Sequence, residues 1–372
     1  MKGLGFLALL PLVAARGLRP RSTACNNSPD LCSKNYGEIT HLGAHDSPFV
    51  RDASTDYSTA GDQYYGTTDQ LSAGVRLLTA QIHKKDSAWH LCHSSCELMD
   101  AGTLTSWLTD IKKWMDSNAN EVVTILLVNS DGASASDIDS AYQSSGLNKY
   151  TYTPASSGSW PTLQSMIDDG KRLVTFVTAL DGSTSSDTSY LLDEWNYVWE
   201  NPYEVTSASN FSCTPDRPSS VSGDLSAALQ SSKLPLMNHF LYQTTILDIE
   251  YPNSSYVSTT NAPSGGTGNL GDTANKCKEQ YGGRQPTFIL VDFFNEGPAI
   301  DTVDSLNNVT NAVGRKEISA GSTSDGSTYG NVFKGLVEMV NKAKSGSNPS
   351  MADWVWVGGD WGSLLGGGIA LN

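Results

Sequence analysis

The feature that most constrains this chain is the alternation of apolar, strand-like runs with helix-period stretches. Candidate strands fall at residues 39–44, 75–83, 122–129, 173–178, 197–200, 236–241, 288–293 and 354–357. The clearest helix spans 104–118, where Leu104, Trp107, Leu108, Ile111, Trp114 and Met115 recur at helical spacing behind Thr103, a suitable N-cap. A second is expected over 331–344, with Val332, Phe333, Leu336, Val337 and Val340 on one face. Strands that alternate with helices pair in parallel, because a parallel neighbour is reached only through a long crossover. Eight of them close into a (β/α)8 barrel of the TIM type more readily than they lie in an open sheet, and 372 residues suit one such α/β domain. Two stretches, 205–232 and 251–285, are rich in Ser, Thr, Asn, Gly and Pro and exceed ordinary connection lengths. They are expected to be long loops pinned together by a disulfide.

Charge narrows the partners. With 24 Lys and Arg against 39 Asp and Glu, the formal charge is -15. That argues against nucleic acid and against nonspecific attraction to anionic headgroups. Residues 1–15 read as a secretory signal, with Lys2 ahead of an apolar run and cleavage near Ala15. Residues 16–35 would then be a pro-segment and an N-terminal disulfide segment, and 36–372 the barrel domain. Proximity pairs the six cysteines as Cys25–Cys32, Cys92–Cys96 and Cys213–Cys277. Zinc is the weaker reading, because the spacing lacks a second matching knuckle. Sequons at Asn26, Asn210, Asn253 and Asn308 are candidate glycosylation sites. The chain is expected to be extracellular and monomeric.

Candidate chemistry collects where the strands end. The first strand runs into His45 and Asp46, the second carries Thr79, Gln81 and His83, and His93 follows inside the Cys92–Cys96 turn. The sixth supplies Asn238 and His239, and the seventh Asp292, followed by Asn295 and Glu296. Barrel enzymes gather their functional groups at this end of the strands. Two imidazoles facing one substrate can take a proton from an attacking oxygen and return one to a leaving oxygen. Asp292 is the candidate to orient His45. A glycosidase built on Asp292 and Glu296 would leave both histidines unexplained.

The ordered set Gly43-Ala-His45-Asp46-Ser47, Gly74-Val-Arg76-Leu-Leu-Thr79-Ala-Gln81, His93-Ser94, Glu121-Val-Val-Thr-Ile, Met237-Asn-His239-Phe and Val291-Asp292-Phe resembles phosphatidylinositol-specific phospholipase C. More closely, it is similar to the secreted, largely fungal branch of phospholipase C-like phosphodiesterases. The resemblance implies a distorted barrel and a phosphodiester substrate such as phosphatidylinositol or a related inositol lipid. It implies His45 as general base, His93 as general acid, Asp292 as the partner of His45, and Asp46 assisting at the phosphate or leaving group. Gln81, Thr79, His239 and Arg76 are the substrate-binding candidates. The chain departs from the pattern at two places. Metal-independent relatives carry an arginine at the position of Gln81 and an aspartate at that of Thr79, whereas calcium-dependent ones carry carboxylates on this strand. The simplest mechanism requires no cofactor; a calcium or magnesium ion held by Asp46 with other oxygens is the metal-dependent alternative. A barrel that binds a phosphate- or sugar-bearing ligand without turnover is the non-enzymatic one.

Overall fold

The computed structural model describes residues 24–319 and 321, apart from 56, 156–158, 181–183 and 245–249. The expected signal, the helix at 331–344 and the strand at 354–357 lie outside the described residues.

The barrel strands are β1 (His41–Ala44) and β2 (Leu77–Lys85), and after a hairpin of β3 (Ala88–Cys92) and β4 (Asp100–Thr103) come β5 (Val123–Asn129) and β6 (Leu173–Val177). β7 (Leu191–Asp193), β8 (Val198–Glu200) and β9 (Leu234–Asn238) follow, then the small ribbon β10 (Tyr242–Thr244) and β11 (Glu250–Pro252), and finally β12 (Phe288–Val291). Eight of them form a curled parallel sheet in the order β7-β6-β5-β2-β1-β12-β9-β8. The fold is thus a distorted TIM-type barrel, with the β3–β4 hairpin extending β2 antiparallel beyond the barrel. The sheet of the described residues includes β7, a strand that the sequence pattern did not single out.

Helices cover the sheet: α1 (Thr67–Ala73), α2 (Leu104–Ser117), α3 (Ala135–Ser145), α4 (Leu163–Asp168), α5 (Glu194–Tyr197), α6 (Leu225–Gln230), α7 (Val257–Thr260), α8 (Leu270–Gln280) and α9 (Ala299–Asn307). The expected loop at 251–285 is corrected by α7 and α8. Asn269 caps α8 by accepting from the Asp272 N–H, and Leu270, Ala274 and Cys277 form its buried face, so polar composition here marks a helix with a narrow buried side. Cys213 and Cys277 are bonded, which ties the 205–232 region to α8.

Strand period two divides the core. Leu42, Ala44, Leu78, Ala80, Ile125 and Leu127 face outward and pack with Leu108, Ile111 and Met115 of α2. Leu77, Leu126, Phe176, Leu236, Phe288 and Leu290 fill the interior, and Tyr36 closes its base by bonding Thr124 Oγ1 at 2.6 Å. Gly43 sits between inward Leu77 and Leu290, where a Cβ would come within 2.5 Å of Leu290 Cδ2. Because Ile111 is fully buried between α2 and the sheet, Ile111→Ala is expected to cost about 2–5 kcal/mol. Urea denaturation measures this, and a loss below about 1 kcal/mol would mean that α2 does not anchor the sheet.

Residues 24–35 belong to this fold and are not a detachable segment. Asn26 Oδ1 accepts from the Val122 N–H at 2.7 Å and Asn27 Oδ1 accepts from Arg76 at 2.5 Å. Of the four sequons, Asn26 is 5% exposed, with its Oδ1 accepting from the Val122 N–H and its Nδ2, the atom a glycan would join, buried in the folded structure. Asn210 and Asn308 are exposed and Asn253 is half-buried.

Candidate active site

The inward register continues up each strand from the apolar interior to a polar mouth. Above Gly43 on β1 comes His45, above Leu290 on β12 comes Asp292, and above Leu77 on β2 come Thr79 and Gln81. His45, Asp292 and His93 are each followed by a residue in the left-handed region: Asp46 (φ 44), Phe293 (φ 41) and Ser94 (φ 57). Such conformations outside glycine cost of order 1 kcal/mol each and persist where surrounding contacts enforce them. The turn at Asp46 also explains how two consecutive side chains, His45 and Asp46, both reach the mouth.

His45 Nδ1 lies 2.9 Å from Asp292 Oδ1, and its ring stacks on Phe240 with centroids 3.8 Å apart. His45 Nε2 and His93 Nε2 flank one atom, Asp46 Oδ2, at 3.8 and 3.5 Å. His93 is presented by the turn that the Cys92–Cys96 disulfide closes, and its ring meets the edge of Phe49. Gln81 ties the two halves together: its Nε2 donates to Asp46 Oδ2 at 2.7 Å and its Oε1 accepts from Ser94 N–H at 2.9 Å. Thr79 Oγ1 accepts from Asp46 N–H at 2.7 Å. Thr79 and Gln81 therefore hold Asp46 and the His93 turn in place.

Two other candidates are corrected. Arg76 precedes β2 at the opposite end of the barrel, five residues and about 16 Å of strand below Gln81. There it pairs with Glu121 Oε2 at 2.6 Å, as a buried structural ion pair. His239 has outward parity, next after inward Asn238, and is fully buried against Phe211 with Nε2 3.0 Å from Thr260 O. Neither side chain is among those gathered around His45 and His93. His83 sits on the hairpin beside Asp131, 3.3 Å away.

Three further residues complete the site. Asp62, in the loop between β1 and α1, is fully buried, with Oδ2 3.4 Å from His93 Nε2 and Oδ1 3.8 Å from His45 Nδ1. Gln63 donates to the His45 and Val291 carbonyls and accepts from Phe294 N–H, which locks β1 to β12. Asn261 donates to the carbonyls of Asp292, Phe293 and Glu296. Only the Asp62-Gln63 pair in an otherwise small, polar loop hints at them in the sequence.

Electrostatics separates the two imidazoles. Burial alone would lower His45, but the charge of Asp46, the hydrogen bond and charge of Asp292, and Asp62 raise it to about 10. Burial lowers His93 to about 4, with Asp46 opposing only in part. Burial, with Asp292 and Asp46 nearby, holds Asp62 well above the usual carboxylate range. His45, Asp62 and Asp292, and likewise Asp46, Asp62 and His93, each offer donor atoms within 4.8 Å of one another.

A parallel α/β barrel with two carboxylate-flanked imidazoles at the C-terminal mouth of its strands defines the class. The family model described as PI-PLC X 1 matches residues 31–307, and the chain belongs to the PI-PLC X family. It is 34% identical over 314 residues, 82% of this chain and 96% of the relative, to PI-PLC X domain-containing protein 1 of Arthroderma benhamiae. It is 35% identical over 308 residues to an uncharacterized secreted protein of the same fungus, covering 80% of this chain and 67% of that one. Among solved structures, the phosphatidylinositol-specific phospholipase C of Listeria monocytogenes superposes with a TM-score of 0.50 at 16% identity, covering 75% of this chain and 96% of that one; this likeness concerns the fold.

Proposed function

We propose that this protein is a secreted phosphodiesterase of the phospholipase C type, acting on phosphatidylinositol or a related inositol lipid. The observation that carries the reading is that His45 Nε2 and His93 Nε2 both lie within 3.8 Å of one acceptor atom, Asp46 Oδ2, with His45 bonded at Nδ1 to Asp292. His45 has the higher proton affinity and takes the proton of the hydroxyl neighbouring the phosphate. That oxygen attacks phosphorus, the bond to the diacylglycerol oxygen breaks, and the His93 side of the site protonates the departing oxygen. Each proton transfer contributes about 10²–10⁴ in rate. Asp46, held by Gln81 and Thr79, sits where it sets the charge felt by both imidazoles. Secretion fits the three disulfides and the secreted relative.

Phosphorus NMR of the protein with phosphatidylinositol vesicles tests this, run with chelator and with added calcium. The expected result is a cyclic inositol phosphate signal in both lanes. A folded protein that binds the vesicles but turns nothing over would instead support a ligand-binding barrel. Dependence on calcium would replace the metal-free reading.

A further inference from the structure

The acid–base reading leaves one proton unaccounted for. His93 is neutral in the free protein at neutral pH, yet its side of the site must protonate the leaving oxygen. Asp62 lies at the same nitrogen, 3.4 Å from His93 Nε2. Its carboxyl group is fully buried and, among the described residues, neither oxygen receives a hydrogen bond. An isolated carboxylate in such surroundings is strongly disfavoured, and the group keeps its proton unless something pairs with it.

We propose that Asp62 stores a proton in the free protein and supplies it, by way of His93 Nε2, to the leaving oxygen. This rests on the phosphodiesterase reading above. The groups around Asp62 favour storage. Asp46 and Asp292 are like-charged neighbours from the ends of β1 and β12, and half-buried Tyr242 of β10 is raised in turn by burial and by Asp62 and its neighbours. His45, also at the end of β1, and Arg51, from the same loop, oppose it. The Arg51 guanidinium is directed to the Gly61 and Thr59 carbonyls and Ser254 Oγ and stacks on Phe293.

Backbone contacts hold the position. Asp62 N–H donates to Phe49 O within the same loop, and Asp62 O accepts from Phe293 N–H at 2.8 Å, so the loop is closed on itself and fastened to the segment that follows β12. At 3.4 Å the Asp62–His93 contact is longer than a formed hydrogen bond and closes with a shift of a few tenths of an ångström. The step balances. The hydroxyl proton passes to His45 Nε2 as the oxygen–phosphorus bond forms. Asp62 passes its proton to Nε2 of the neutral His93 ring, which carries its own hydrogen on Nδ1, and becomes a carboxylate. The phosphorus–leaving-oxygen bond breaks as the imidazolium gives that proton from Nε2 to the leaving oxygen, which leaves the ring neutral again. Exchange with water restores both groups. With Thr79 on the strand, the carboxyl group that serves His93 comes from the loop.

Two readouts test the proposal. The first needs no turnover: the carboxyl carbon shift of Asp62 in the unmodified protein should be that of a protonated acid at pH 7. An ionised Asp62 at pH 7 overturns the proposal even if the protein is an active phosphodiesterase. The second is the pH dependence of kcat/KM on phosphatidylinositol in mixed micelles. With Asp62 keeping its proton, freeing His45 alone limits the rate, so kcat/KM should climb about tenfold per pH unit above neutrality. In Asp62→Asn, loss of the His93 proton cancels release of His45, and the profile should be flat and at least about 100-fold lower at pH 8. The same slope in both proteins overturns the proposal. The buried His41 resonance at the barrel base verifies that the variant is folded. If no inositol lipid is turned over, the phosphodiesterase reading fails separately and the carboxyl shift still decides the role of Asp62.

Discussion

Replacing His45 by alanine is expected to lower turnover of phosphatidylinositol by about 10²–10⁴-fold, because the hydroxyl loses the group that takes its proton. The ring is half of a unit. Asp292 fixes its orientation and tautomer through the 2.9 Å contact at Nδ1 and raises its proton affinity. Asp292→Asn should therefore also slow turnover, and the double variant should be scarcely slower than His45→Ala alone, since residues acting together are not additive. The pH profile provides a separate sign. His45 is raised from 6.5 to about 10, so the alkaline break that marks its release stands near pH 10. Removing the Asp292 charge takes away an interaction that favours the imidazolium, so the break must move to lower pH. An unmoved break, or additive losses, would show that Asp292 does not act through His45.

The second large effect lies at the other end of the barrel. Arg76→Ala is expected to destabilise the protein by about 3–5 kcal/mol while leaving turnover per folded molecule unchanged. Arg76 and Glu121 are both nearly inaccessible, and the guanidinium also donates to the Leu71 and Val75 carbonyls and to Asn27. Removing it leaves a buried carboxylate and several acceptors without a partner, which costs more than the pair itself contributes. Urea denaturation against the unmodified protein measures this. A variant of full stability, or one stable but inactive, would return Arg76 to the functional site.

Short-range pattern and tertiary placement divide the account of this protein. The alternation of strands and helices, α2 with its Thr103 cap, and the positions of His45, His93 and Asp292 at strand ends or just beyond them are local properties, legible because period two and helical spacing are written in neighbouring residues. Parity was legible too, and would have put His239 outside once Asn238 was read as inward. Arg76 immediately precedes the strand that carries Gln81, and only the direction of that strand in the barrel separates a structural ion pair from the mouth. Polar composition concealed α8, because apart from Leu270 the face it buries is built of small or polar residues, Gly271, Thr273, Ala274 and Cys277. The sequence determined which strands would carry imidazoles and carboxylates. Only the tertiary structure decided that Asp62, from a loop without periodicity, meets His93, that Gln81 is directed to Asp46, and that one imidazole is held charged and the other neutral. Those outcomes depend on burial and on distances between side chains far apart in the chain, and local pattern encodes neither.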